Sequence, residues 1–372
     1  MRFGIEAGAW RNPRGYGRFL RGLATALARR GRHEWILAAD EITARDLPPD
    51  GEMPRVVIST GHAASAGASS DHRRSLTEMF RMSRGLSRSR FDALLFPSPL
   101  TYVPVRGTPE FLVLHDVTAE RHPKLVFESP AASRRWRWKT TLGLRRARAV
   151  LTVSEHSRRG IARIYRIAPE RISVIPEAAD PIFFEPAVRQ APRPRPYLLF
   201  VGGLSPHKNI AVVLEALKHV PAVDLLLAGP FATDVFHAED VAAMVASAAL
   251  ADRVEWISEP SDSVLRDLYS EALALVLPSF DEGFGLPAIE AAAAGTPSIL
   301  SDSTGAAERL AGSALLFDPR EPAQLAAHVR NLLDDPLRRS ALGADARKSA
   351  FLLTWDLAAA AVEKTVEAAL AR

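Results

Sequence analysis

The run LALVLPSFDEGFGLPAIEAAAAGTPSILS, residues 273–301, decides the fold. Leu273–Pro278 is apolar without alternation, as a strand buried on both faces should be. A glycine-bearing turn follows, and Pro287, a residue favoured in the first turn of a helix, opens a helix that ends at Gly295. Ser298–Ser301 then reads as the next strand. A strand, a helix and a strand in this order make a right-handed crossover between parallel neighbours.

Working outward, the same alternation covers the chain. Candidate strands in the first half are Arg2–Gly8, Glu34–Ala39, Val56–Thr60, Asp92–Pro97, Glu110–Asp116, Val150–Ser154 and Ile172–Pro176. In the second half they are Tyr197–Gly203, Val223–Gly229, Val254–Ile257, Leu273–Pro278, Ser298–Ser301 and Ala314–Phe317. Helical segments lie between them, among them Asn209–His219 and Asp262–Ala272. The class is α/β, and the pattern predicts two doubly wound, parallel-sheet, Rossmann-like domains facing a cleft, with ligands beyond the carboxyl ends of the strands. A length of 372 residues suits two domains. Three prolines within Pro192–Pro196 forbid helix, so Arg189–Pro196 is expected as a stiff exposed linker. The expected division is 1–190 and 191–354, with a final helix over 355–372, capped by Thr354, packing back on the first domain.

Composition narrows the class. Hydrophobic residues make 47% and charged residues 24% of the chain, which excludes extended disorder. No apolar run reaches the roughly 18 residues that would span a bilayer. Met1–Glu6 lacks the apolar core of a secretory signal, and zero cysteines exclude disulfides and thiolate metal sites. A cytoplasmic protein is the expectation. The net charge of +4 hides an asymmetry: residues 1–190 carry 32 Lys/Arg against 19 Asp/Glu, and the remainder 15 against 24. A basic half and an acidic half argue for different partners.

Within Pro278–Pro297, Gly283 and Gly285 permit close backbone approach, and the helix start can receive an anion such as a diphosphate. Glu282 and Glu290 flank that start as acceptors for paired hydroxyls. A second strand–glycine–helix junction runs Gly202-Gly203-Leu204-Ser205-Pro206-His207-Lys208-Asn209, where Lys208 could neutralise a leaving diphosphate. In the first half, Gly15-Tyr16-Gly17-Arg18-Phe19 precedes a helix read as Leu20–Arg29. His115-Asp116 ends a buried strand, the place where α/β sites are built. Taken singly, each has an ordinary structural reading, as a loop acid, an exposed lysine, a plain turn or a packed histidine.

Together they resemble glycosyltransferase family 4. The resemblance rests on E-x7-E from Glu282 to Glu290 in its P-S-x-x-E-G-F-G-L-P frame, on V-G-x-L-x-P-x-K-N around Lys208, on G-x-G-R-F at Gly15–Phe19, on H-D at His115, and on V-S-x-x-S-R at Val153–Arg158. It runs from Gly15 to Trp355 and weakens over 40–90. It implies the GT-B fold, a nucleotide-diphosphate sugar as co-substrate, and retention of configuration. It further implies that Glu282 holds the donor sugar, Glu290 the ribose hydroxyls, backbone at Phe284, Gly285 and Leu286 the sugar or phosphates, and His115 the region of the reacting carbon. Asp116 goes with His115. The family commonly adds a phosphate-gripping Arg where this chain has Gly203 and His207, so His207 or Arg18 is expected to replace it. The look of these segments leans towards the mannosyltransferase-like branch.

No Asp pair stands two residues apart, so no metal is expected, and no carboxylate stands out as a covalent nucleophile. The acidic half is read as the donor half and the basic half as the acceptor half, the acceptor being a glycan or a lipid-linked sugar. The basic stretches 72–90 and 133–148, the second with Trp136 and Trp138, suit peripheral contact with an anionic membrane on its inner face. No nucleic-acid motif occurs, and nucleic acid is not expected as a partner. The alternative reading is a GT-B protein that is not a transferase, either a sugar-nucleotide epimerase or a silent scaffold.

Overall fold

The computed structural model describes residues 1–12, 15–49, 51–60, 75–188, 193–230 and 238–372. His72, Arg73 and Arg74 of the first basic stretch and residues 189–192 of the expected linker lie outside them.

All thirteen expected strands form, most of them shorter by a few residues at their ends. β1 (Arg2–Glu6), β2 (Glu34–Asp40), β3 (Arg55–Ile58), β4 (Ala93–Phe96), β5 (Glu110–Val113), β6 (Ala149–Thr152) and β7 (Ile172–Val174) make one sheet. Its order is β3-β2-β1-β4-β5-β6-β7 and every pairing is parallel. β8 (Tyr197–Val201), β9 (Asp224–Gly229), β10 (Val254–Ser258), β11 (Ala274–Leu277), β12 (Ser298–Ser301) and β13 (Leu315–Phe317) make the other. Its order is β10-β9-β8-β11-β12-β13, again parallel throughout. Strands such as β4 and β11 are buried at all four residues, which is why their sequences do not alternate. In each sheet the order reverses beside the first strand, at β1/β4 and at β8/β11, and such reversals are where ligand crevices open.

The chain divides into two compact units. The first comprises Met1–Glu120, Glu128–Glu177 and Thr354–Arg372, and the second Arg121–Phe127 and Ala178–Leu353. The division expected at residue 190 therefore falls at 177/178, and seven residues from the middle of the first half belong to the second unit. What the structure describes of the proline segment is tied to the second unit: Arg193 pairs with Glu255 at 2.5 Å and Arg195 with Asp224 at 3.1 Å. It is not a free spacer.

The last helix, Trp355–Leu370, is capped by Thr354 Oγ1 accepting from the Leu357 N–H (3.2 Å). It lies along the helix Gly15–Arg30 of the first unit. Trp355 meets Phe19 edge-on. Beyond the apolar seam, Arg30 Nε reaches the buried Glu363 carboxylate at 2.8 Å, and Arg32 and His33 share Glu367 at 3.0 and 2.7 Å. The helix read as starting at Leu20 starts instead at Gly15, so Gly15, Gly17 and Arg18 lie in its first turn rather than in a preceding loop. Gly17 is required there because a Cβ would fall 1.8 Å from the Asn12 carbonyl oxygen. Among the described residues no helix is long and apolar enough to cross a membrane.

Candidate functional site

In the second unit, two turns leave the sheet where its order reverses, one after β8 and one after β11. Gly202 takes a φ of +145° and carries the chain with Gly203 out of β8. Pro206–Lys208 then form a single 3-10 turn, and Asn209 adopts the left-handed conformation, φ +55°. Asparagine tolerates that region because its short amide bonds locally. Here Asn209 Nδ2 donates to the carbonyls of Pro278 (3.2 Å) and Pro319 (2.7 Å), while the Phe280 N–H donates to His207 O (3.0 Å). These bonds staple the two turns together. Lys208 thus closes a 3-10 turn two residues before the helix Ile210–Leu217, not the helix start expected from sequence.

The staple brings Lys208 to Glu282. Lys208 Nζ lies 2.8 Å from Glu282 Oε1, and Ser279 Oγ donates to Oε2 at 3.0 Å. The two charged side chains keep 22% and 15% of their surface, so the pair is reachable from solvent. Glu282 itself is fixed by its backbone, which bridges Thr304 and accepts from the Gly305 N–H at 3.0 Å. Gly285 turns the chain into the helix Leu286–Ala293 at φ +81°, with the Ala306 methyl 2.7 Å from where a Cβ would stand. Phe284 and Leu286 are buried on either side of it. Pro287 has no N–H, and the Ala288 N–H already donates to Gly285 O (2.8 Å), so this helix start offers fewer donors than its sequence suggests.

Glu290 stands apart from this cluster. It is 3% exposed, and its Oε2 accepts from the Tyr269 hydroxyl at 2.8 Å. His207 is held neutral: burial, helped by Lys208 and His122, lowers its pKa to about 3. It therefore does not carry here the positive charge expected of it in place of an arginine. Arg121 reaches this neighbourhood unannounced, its Nη1 2.8 Å from Oδ1 of the buried Asp281. Asp281 is 160 residues further along the chain, and no spacing in the sequence signals the pair. Tyr269 was equally hidden, being an ordinary apolar-face residue of the helix Asp262–Glu271.

The first unit holds the other expected residues. His115 lies two residues beyond β5 and is 7% exposed. Its Nδ1 is 3.1 Å from Glu177 Oε1 and its Nε2 3.0 Å from the Pro97 carbonyl oxygen, both of which only accept. Tyr16 and Phe19 pack edge-on against the ring at 4.8 and 4.6 Å between centroids. Burial, with Asp116, Glu120 and Glu177 nearby, raises the Tyr16 phenol far above its usual range. Asp116 Oδ1 accepts from the Thr118 N–H at 2.9 Å and so starts the next short helix. Arg18 is partly buried. A sugar at either ring nitrogen of His115 would have to displace a partner already in place.

Two family models divide the chain between them. The model described as Glycosyltransferase Family 4 matches residues 13–182, and that described as Glycosyl transferases group 1 matches 182–349. The chain belongs to glycosyltransferase family 4. Among curated relatives, the O-antigen chain mannosyltransferase RfbU of Salmonella typhimurium is 33% identical over 230 residues, covering 61% of this chain and 62% of that protein. The match thus spans less than two thirds of that curated relative's length. Among solved structures, sucrose-phosphate synthase of Thermosynechococcus elongatus superposes with a TM-score of 0.80 at 19% identity, covering 100% of this chain and 99% of that one. HepE of Anabaena, solved in complex with UDP and glucose, gives 0.76 at 17% identity over 98% and 99%. The fold is the GT-B architecture that such enzymes share.

Proposed function

We propose that this family-4 chain is a retaining glycosyltransferase that moves a hexose, mannose by the leaning of its motifs and of RfbU, from a nucleotide-diphosphate sugar to a glycan or lipid-linked acceptor. The observation that carries the reading is the Lys208–Glu282–Ser279 cluster, a cation and a carboxylate side by side, partly open, at the strand reversal of the second unit. Each partner keeps capacity for a ligand. The ammonium has three donors and spends one on Glu282, so it can also meet a phosphate oxygen. The carboxylate has about four acceptor positions, of which two are taken, so sugar hydroxyls can donate to the rest. Support for the nucleotide comes from HepE, whose structure holds UDP and glucose.

In this reading the bond from the anomeric carbon to the leaving phosphate oxygen breaks as charge develops on that oxygen, and Lys208 stabilises it. The acceptor hydroxyl oxygen bonds to the anomeric carbon on the same face and passes its proton to the leaving phosphate. No metal takes part, in keeping with the missing Asp pair. By the family resemblance His115 meets the donor sugar near its reacting carbon, and the acceptor is assigned to the basic half.

Incubation with GDP-mannose, UDP-glucose and their relatives tests the activity. Slow release of nucleoside diphosphate from at least one donor is expected, unchanged by EDTA and abolished in Glu282→Ala. Release from none of them would end the transferase reading. A glycosyl adduct trapped on any carboxylate would refute the same-face mechanism.

A further inference from the structure

Asp281, the residue before Glu282, is a buried acid whose side chain keeps 2% of its surface. A carboxylate so placed needs a cation, and Arg121 supplies one, with Nη1 2.8 Å from Asp281 Oδ1. The arginine side chain is 32% exposed, so the pair lies at the edge of the buried region. Arg121 is also the first residue of the excursion Arg121–Phe127, which belongs to the second unit although the chain on either side of it belongs to the first.

The excursion touches both turns of the candidate site, each time beside a charged residue of the Lys208–Glu282 pair. His122 sets its ring against Phe280, 6.1 Å between centroids. Pro123–Val126 forms one helical turn, opened by a proline whose fixed φ suits that position, and this turn lies against Pro206–Lys208. The His207 ring bonds to the Leu125 backbone. Phe280 and Asp281 lead into Glu282, and His207 leads into Lys208. One short segment therefore holds the approach to both charged groups.

Stability alone gives little reason for such an arrangement. Desolvating a buried ion pair is costly, and apolar side chains of the same volume commonly hold a fold as well or better. What the pair adds is direction, because a guanidinium fork meets a carboxylate along fixed lines. With Asp281 held in this way, the backbone from which Glu282 Oε1 reaches Lys208 Nζ at 2.8 Å is held as well.

We propose that Arg121 is a positioning residue for the Lys208–Glu282 pair, acting through Asp281, and that the excursion of 121–127 delivers it there. The inference rests on the reading of that pair as the place where the donor is held.

Two readouts on the full chain test it. One is acetylation of Lys208 by an N-hydroxysuccinimide ester, followed by mass spectrometry with the exposed Lys218 as reference, and it needs no sugar donor. The other is release of nucleoside diphosphate. Arg121→Gln should raise Lys208 labelling severalfold and lower turnover by about 10²-fold, the scale on which misplaced groups lose rate. Adding Asp281→Asn removes the stranded charge, and the double variant should regain at least about tenfold in turnover over the single one, with Lys208 labelling falling back. Arg121→Lys should lie between the parent and Arg121→Gln, since it restores the charge without the fork. If Arg121→Gln unfolds, the lysine and double variants carry the test, because neither leaves the Asp281 charge without a cation. Unchanged Lys208 labelling in Arg121→Gln would overturn the proposal. So would a double variant of an active parent that turns over no faster than the single one, since Arg121 would then act on the donor itself. If labelling responds as expected and the parent chain releases no nucleotide, the positioning role stands and the transferase reading falls alone.

Discussion

β4 and β11 hold equivalent places in their sheets and end in nearly the same words, Ala-Leu-Leu-Phe-Pro-Ser at residues 93–98 and Ala-Leu-Val-Leu-Pro-Ser at 274–279. Both proline carbonyls are claimed by a side chain from another turn, that of Pro97 by His115 and that of Pro278 by Asn209. From there the two loops diverge. After Ser98 the chain is sealed: Tyr102, Val103 and Val105 are each 1% exposed, and the Tyr102 hydroxyl donates to the buried Glu110, which also pairs with Arg146. After Ser279 the chain turns on Gly283 and Gly285, and a carboxylate and an ammonium stay partly open. A strand at a sheet reversal supplies the place, and the loop chemistry alone decides whether that place becomes core or site.

Substitutions can break this contrast, the losses of turnover being the largest. Glu282→Ala and Lys208→Ala should each cut turnover about 10²- to 10³-fold, as loss of one group facing developing charge typically does, with little change in melting temperature. Steady-state release of nucleoside diphosphate alongside calorimetry checks both. Gly285→Ala should destabilise the second unit by roughly 1–3 kcal/mol, since a left-handed residue there also meets the Ala306 methyl. Its counterpart in the sealed loop is Gly107, at φ +73° with open space around it, and Gly107→Ala should cost only about 1 kcal/mol. Urea denaturation of the two variants side by side reads the difference. His115→Ala strips the buried Glu177 of its partner, and about 1–3 kcal/mol of stability should go with it. A loss of turnover far larger than the loss of stability would instead show His115 touching the donor.

A further effect is visible only in acid. Below pH 6.5 the unfolded chain binds a proton at His207 that the folded chain refuses until about 3. The unfolded state then holds more protons, so stability falls as pH drops through that window, by about 2 kcal/mol at pH 5. His207→Gln should flatten the melting temperature between pH 7 and 5 relative to the parent chain. Equal slopes would mean that His207 is charged in the folded protein.

The strands and their parallel pairing were legible because burial on both faces leaves a direct mark, an apolar run without alternation, and each such run from Arg2 to Phe317 became a strand. The Lys208 and Glu282 segments were legible as motifs. Their meeting was not, since it depends on Asn209 in a left-handed turn bonding a proline carbonyl 69 residues away. Arg121 beside Asp281, Glu177 beside His115 and the excursion of 121–127 into the second unit likewise rest on packing between distant segments. Helix starts were misjudged for a local reason: Gly15 and Gly17 read as turn residues, whereas at Gly17 the missing side chain makes room for the Asn12 carbonyl inside a helix.

The return of residues 354–372 to the first unit fixes an order of assembly on the ribosome. Everything the second unit needs has been made once Leu353 is synthesised, whereas the first unit must wait for the helix that follows. Until then the helix Gly15–Arg30 lacks its partner, and Arg30 lacks Glu363. The half that emerges first is therefore the half that finishes last, and an unfinished chain carries an uncovered seam for the whole time its neighbour is being made.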